Sequence, residues 1–132
     1  MPAVLDTHAA IWYLLDSKRL PDAVFGLIDD AAARGTPTYV SAISLVEIVY
    51  LVERGRIAPD AFDEFARELG VSNPSFALAP VDFHIADALR AIPRDLVPEM
   101  PDRIIAATAL HLGLPLVTRD RRLQACGIAT IW

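Results

Sequence analysis

Short apolar runs alternate with longer helical stretches along the whole chain, and Gly, Pro and Asp mark most of the breaks between them. Pro2–Leu5 predicts a buried strand ending at Asp6. Thr7–Leu15, apolar on nearly every side through Trp12 and Tyr13, predicts a buried helix. After a loop at Asp16–Pro21, Asp22–Arg34 predicts a second helix stopped by Gly35, and Pro37–Val40 a second strand. Ser41–Glu53 predicts a third helix ended at Gly55, apolar from Ala42 to Val52 except at Ser44, Glu47 and the Tyr50 hydroxyl. Pro59–Leu69 predicts an amphipathic helix with Ala61, Phe62, Phe65, Ala66 and Leu69 inward and Asp60, Asp63, Glu64, Arg67 and Glu68 outward. Phe76–Pro80 is a weak strand; Asp82 caps a fifth helix that Pro93 closes, and Arg94–Met100 is a proline-bounded loop.

The stretch Pro101–Asp120 organises the rest. Pro101 opens a helix, and Asp102 puts a carboxylate in its first turn, where the positive helix end favours anions. Ile104, Ile105, Ala106, Ala109 and Leu110 carry its apolar face and Gly113 stops it. Leu114–Thr118 is too short for another helix and reads as a strand, with Asp120 just past its end. Arg121–Ala125 predicts a short helix and Ala129–Trp132 a last strand. Strands alternating with helices imply an α/β fold, a three-layer sandwich around a mostly parallel sheet of about four to five strands. A chain of 132 residues is expected to form one domain, 1–132, with a single core.

The hydrophobic fraction of 54% exceeds the usual level of about 45–50%, which predicts apolar surface beyond an ordinary core. A homodimer face, a groove for a partner helix or a tightly packed monomer would each account for it. No apolar run approaches the roughly 20 residues that span a bilayer and no signal peptide is evident, so a cytoplasmic protein without membrane contact is expected. The single cysteine, Cys126, excludes an internal disulfide and a cysteine-based zinc site and reads as a small buried filler. A net charge of −5 argues against nucleic-acid binding on its face, but of 12 basic residues 11 are arginine, the side chain suited to phosphate forks. Two bound divalent cations would add four charges and move −5 to −1, so local arrangement decides.

The acids carry the chemistry. An ionised Glu47 inside an apolar helix costs several kcal/mol unless paired or bound to a cation. It reads either as the partner of Ser44 in a capping box or as a site carboxylate. The second is favoured, because Ser41 follows the strand directly and is the better cap. A strand-end Asp6 commonly caps the next helix, Asp102 alone is a helix-dipole acid, and Asp120 alone a turn residue. Together they differ: a parallel sheet gathers strand-end acids along one edge, where open α/β sheets bind ligands. Four such carboxylates cannot all ionise without cations, and oxygen-only donors select Mg²⁺ or Mn²⁺ over zinc.

Several segments match a known pattern in order and spacing: Val4-Leu5-Asp6-Thr7-His8 with Trp12, Ser44-Leu45-Val46-Glu47, Pro101-Asp102-Arg103-Ile104-Ile105-Ala106-Ala107-Thr108-Ala109, and Leu116-Val117-Thr118-Arg119-Asp120. On these the chain resembles the PIN-domain ribonucleases, and most of all the VapC-type toxins of toxin–antitoxin pairs. It departs at Met100, where such toxins often carry another Asp-Pro-like pair. The resemblance implies a PIN-like three-layer α/β/α sandwich and hydrolysis of RNA phosphodiesters with Mg²⁺ (or Mn²⁺). It implies metal-site acids at Asp6, Glu47, Asp102 and Asp120 and a supporting hydroxyl at Thr118; Thr7 is a further candidate supporting residue. The implied partners are an RNA substrate, a cognate antitoxin and a second copy of the chain.

Arg103 and Arg119 flank proposed ligands and are candidates to contact phosphate or balance the acids, with a solvated arginine the alternative. His8 is a candidate substrate contact. His111 is expected at a helix C-terminus and His84 at a surface or cap. Trp12 and Trp132 are expected to be core or dimer contacts. A receiver-like phosphoacceptor domain would want a lysine late in the chain, and Lys18 is the only one. A catalytically idle PIN-like module binding RNA or protein is the alternative from another class.

Overall fold

The computed structural model describes residues 2–69 and 76–132. Its elements in chain order are β1 (Val4–Leu5), α1 (Thr7–Leu14), α2 (Asp22–Ala33), β2 (Thr38–Ser41), α3 (Ala42–Glu53), α4 (Ala61–Glu68) and β3 (Phe76–Ala79). They continue with α5 (Phe83–Leu89), α6 (Met100–Leu112), β4 (Leu116–Val117), α7 (Arg121–Gln124) and β5 (Thr130–Ile131). The strands form one sheet in the order β3-β2-β1-β4-β5. Every pairing is parallel; at the centre Val4 stands between Tyr39 and Leu116, and Leu5 between Val40 and Val117. This is the expected α/β/α architecture with an all-parallel five-stranded sheet.

Because successive strand side chains point to opposite faces, each strand feeds two cores. Leu5, Val40 and Val117 pack with Ala9, Ala10, Ile11, Trp12, Val24, Ile28, Ile48 and Phe65 on one face. Val4 and Leu116 pack with Ile85, Ile104, Ile105, Ala106, Ala109 and Leu123 on the other. Burying both faces is what makes the strands read as apolar throughout rather than alternating.

Helix ends follow the local chemistry. Asp6, Ser41, Asp82 and Asp120 each accept a backbone N–H of the helix they precede. Gly113 closes α6 in the left-handed conformation, at φ 66°. Met100 is already helical, one residue earlier than the proline suggests. One expectation about burial is corrected. Phe62 and Ala66 do not face inward; only Ala61 and Phe65 of α4 are buried, because this short helix packs mainly on α3 at the edge of the fold. The apolar α3 buries Ser44 and Ile48 fully and leaves Val46, Val49 and Tyr50 exposed, apolar surface of the kind the composition predicts. No helix among the described residues is long and apolar enough to cross a membrane.

Candidate active site

Crossing back from β1 to β2 on one side and to β4 on the other splits the chain's direction at β1, and the carboxyl ends of β1 and β4 open onto a cleft. The cleft has a volume of about 460 Å³ and is lined by Asp6, Glu47, Glu99, Asp102 and Asp120, with Thr7, His8, Trp12, Arg19, Pro101 and Arg119. The four acids expected from the sequence therefore share one cavity, although they come from four different elements.

Asp6 is buried, 8% exposed, and fixed at both oxygens. Its Oδ1 accepts the Ala9 amide at 2.8 Å, which caps α1, and its Oδ2 accepts the Thr118 hydroxyl at 2.5 Å. It is thus a cap and a cleft residue at once. Burial pushes its carboxyl above the ordinary value and the Asp120 charge pushes the same way, opposed by the bonds from Thr118 and Ala9 and by His8. Thr118 also accepts the Asp120 amide at 3.0 Å, so one hydroxyl positions two acids. Asp120 in turn accepts the Arg122 amide at 2.8 Å and caps α7.

Glu47 is half-buried and accepts the Thr7 hydroxyl at 2.6 Å. That hydroxyl also lies 2.8 Å from the Ser44 Oγ. Since the Thr7 proton goes to the carboxylate, the buried Ser44 donates to Thr7, giving a relay Ser44 to Thr7 to Glu47. Ser44 is therefore no helix cap; Ser41 is, accepting the Ile43 amide at 3.2 Å. Asp102 stands in the first turn of α6, half-buried. Burial, and then the charges of Glu47, Asp120, Asp6 and Glu99, raise its pKa to about 6.

Arg103 is corrected. Its guanidinium turns away from the cleft and donates to the carbonyls of Leu89 and Ile92, at 3.1 and 3.0 Å, strapping α6 to the end of α5. The next residue on a helix lies about 100° round the axis, so Asp102 and Arg103 cannot share a direction. Arg119 and His8 do line the cleft. His84 and His111 are remote from it and stack on each other, with centroids 5.3 Å apart.

Three lining residues escaped the sequence reading. Glu99 adds a fifth carboxylate at the start of α6. Trp12, read as core or dimer contact, is buried but presents its ring to the cleft, and Arg19 comes from the loop after α1. An arginine four or more residues past an aromatic gives no pattern that sequence alone distinguishes from a surface residue.

The donor set fits a hard cation. All the acids offer oxygen, and after burial the charges of Glu47, Asp120, Asp6 and Glu99 raise Asp102 further, a repulsion that a cation would relieve. Among the described residues no three carboxylate, imidazole or thiol groups stand close enough together to hold a metal ion as they are placed. Spread acids of this kind suit Mg²⁺, which keeps several waters and takes few protein ligands.

Comparison with known proteins shows the family of the chain. The family model described as PIN domain matches residues 3–128. Ribonuclease VapC22 of Mycobacterium tuberculosis is 32% identical over 130 residues, spanning 92% of this chain and 89% of that protein. Among solved structures, VapBC2 from Rickettsia felis bound to a DNA fragment from their promoter superposes with a TM-score of 0.74 at 15% identity, covering 99% of this chain and 98% of that one. A toxin–antitoxin complex from Klebsiella pneumoniae superposes at 0.61 with 22% identity, covering 98% and 96%. At those identities the structural likeness is one of fold.

Proposed function

Because this chain belongs to the PIN-domain family, with a VapC ribonuclease as a relative, we propose that its acidic cleft is the active site of a metal-dependent endoribonuclease, the toxin of a toxin–antitoxin pair. The observation that carries this reading is the meeting of Asp6, Glu47, Asp102 and Asp120 in one cleft, with Asp102 pushed up to about 6 by burial and then by its neighbours' charge.

Asp6, Asp102 and Asp120 would hold Mg²⁺ or Mn²⁺, Asp6 being the shared ligand, and Glu47 would complete the site or orient water. The cation supplies charge neutralisation at the scissile phosphate and lowers the pKa of a bound water. The chain's own contribution is orientation. Thr118 fixes Asp6 and Asp120 together, while Thr7, held by Ser44, aims Glu47. Held this way, the carboxylates need little rearrangement as charge develops, which is where preorganised sites gain most. His8 and Arg119 on the cleft wall are proposed phosphate contacts.

The toxin–antitoxin complexes among the structural neighbours support an antitoxin partner. The exposed Val46, Val49 and Tyr50 of α3 are consistent with such a partner or a second copy of the chain, both acting in the cytoplasm. The test is cleavage of a mixed cellular RNA pool by protein freed of any co-purified antitoxin, with Mn²⁺, with Mg²⁺, with chelator, and with Asp6→Asn as control. Discrete products that need the metal and vanish in the variant support the reading; an intact pool under every condition sinks it and leaves the idle binding module.

A further inference from the structure

The carboxylates do not exhaust the cleft. Trp12 is only 7% exposed and is fixed between His8 and Trp132, whose ring centroids lie 5.6 and 5.9 Å from its own. Two guanidiniums sit over its ring, Arg119 at 4.8 Å and Arg19 at 5.9 Å from the centroid, both within cation–π range. The acids around them invite ion pairs, yet the ion pair found among the described residues is the surface pair Arg90–Asp87. Neither guanidinium is in an ion pair among the described residues, so its N–H edge is open to a ligand. That edge matches a phosphate, and part of the side chain's freedom is already lost before a ligand arrives.

Resting on the nuclease reading, we propose that Trp12, Arg19 and Arg119 form a second subsite that grips a phosphate of single-stranded RNA next to the phosphate at the carboxylates. A volume of about 460 Å³ lies within the roughly 300–1,000 Å³ of sites that enclose a whole small ligand, so the cleft has room for more than the scissile group. The division of labour follows from charge. Cation and acids handle the reacting phosphate, while arginines held off the acids by the indole bind its neighbour without displacing the ion. A concave site of this kind admits a flexible strand and excludes a rigid duplex.

The experiment uses Trp132→Phe protein, in which Trp12 is the sole tryptophan, titrated with a random-sequence single-stranded RNA oligonucleotide in chelator. Trp12 fluorescence is expected to change saturably. Arg19→Gln and Arg119→Gln should each weaken binding about tenfold and reduce the slope of log K against log salt by about 0.7, the value for one phosphate contact on a single strand. With Mg²⁺ or Mn²⁺ the same variants should raise KM about tenfold and leave kcat near wild type, a split that a merely structural role would not produce. Anisotropy of a labelled oligonucleotide on protein retaining Trp132 gives the same affinities if Trp132→Phe folds poorly. Wild-type affinity and salt slope in both variants overturn the subsite. RNA binding that depends on both arginines, in a protein that cleaves nothing, supports the subsite and sinks the nuclease reading.

Discussion

Thr118 and Asp6 stand 112 residues apart in the sequence and share one hydrogen bond, Thr118 Oγ1 donating to Asp6 Oδ2 at 2.5 Å. The same oxygen accepts the Asp120 amide, so a single hydroxyl keeps two acids in register. Thr118→Val keeps the shape and removes both bonds. Cleavage is expected to fall about 10–100-fold, the usual cost of losing a group that orients a metal ligand. Thr118→Ser should retain most of it. Single-turnover rates on one RNA decide; a wild-type rate in Thr118→Val would dismiss the hydroxyl as a positioning group.

Asp102→Asn separates chemistry from stability. It should abolish cleavage and raise the melting temperature in chelator at pH 8, because an uncharged amide neither buries a charge nor meets those of Glu47, Asp120, Asp6 and Glu99. The pH dependence has a definite sign. Asp102 titrates near 6 when folded and near 3.8 unfolded, so between those values the native chain binds more protons. Wild-type stability from this group is therefore lost as pH rises through that window and stays low above it. The melting-temperature gain of Asp102→Asn should accordingly shrink as pH is lowered from 8 to 4. A constant gain across the range would mean that the Asp102 charge is not its cause.

Divalent cations should stabilise the folded chain by linkage. At free Mg²⁺ or Mn²⁺ a hundredfold above Kd the gain is about 2.7 kcal/mol. Asp6→Asn and Asp120→Asn should show a smaller rise in melting temperature over the same titration. No shift in wild type at millimolar ion would count against a cation site in the cleft.

Arg103 should behave as a structural residue. Arg103→Gln loses two charge-assisted bonds to the Leu89 and Ile92 carbonyls, each worth about 1.5–3 kcal/mol. The melting temperature should drop, Arg103→Lys should recover only part of it, and cleavage per folded molecule should stay near wild type. A large loss of specific activity at unchanged stability would return Arg103 to the cleft.

Much of this was legible because local chemistry and global fold agree. Buried parallel strands demand short apolar runs, Asp6 and Asp120 follow such runs, and Gly113 can take the left-handed turn that α6 needs. The acids were conspicuous because carboxylates among apolar neighbours need a reason to be there. What stayed hidden is direction rather than identity. Arg103 and Arg119 each adjoin an acid in the sequence, yet one turns to backbone carbonyls and the other to an indole. Phe62 looked inward by periodicity, but α4 has too little fold above it to cover a full stripe. Trp12 is both core and cleft wall, a double role that hydrophobicity alone reports as core.

The sheet order sets a clock on the molecule. β1 lies between β2 and β4, so the second wall of the central strand, and the hydroxyl that holds Asp6, come from residues near 116–118. A ribosome making this chain adds Thr118 more than a hundred residues after Asp6. Until then the β1–β4 edge has no partner and the cleft has no floor. The acids can therefore meet in their final arrangement only once the chain has been made as far as Asp120.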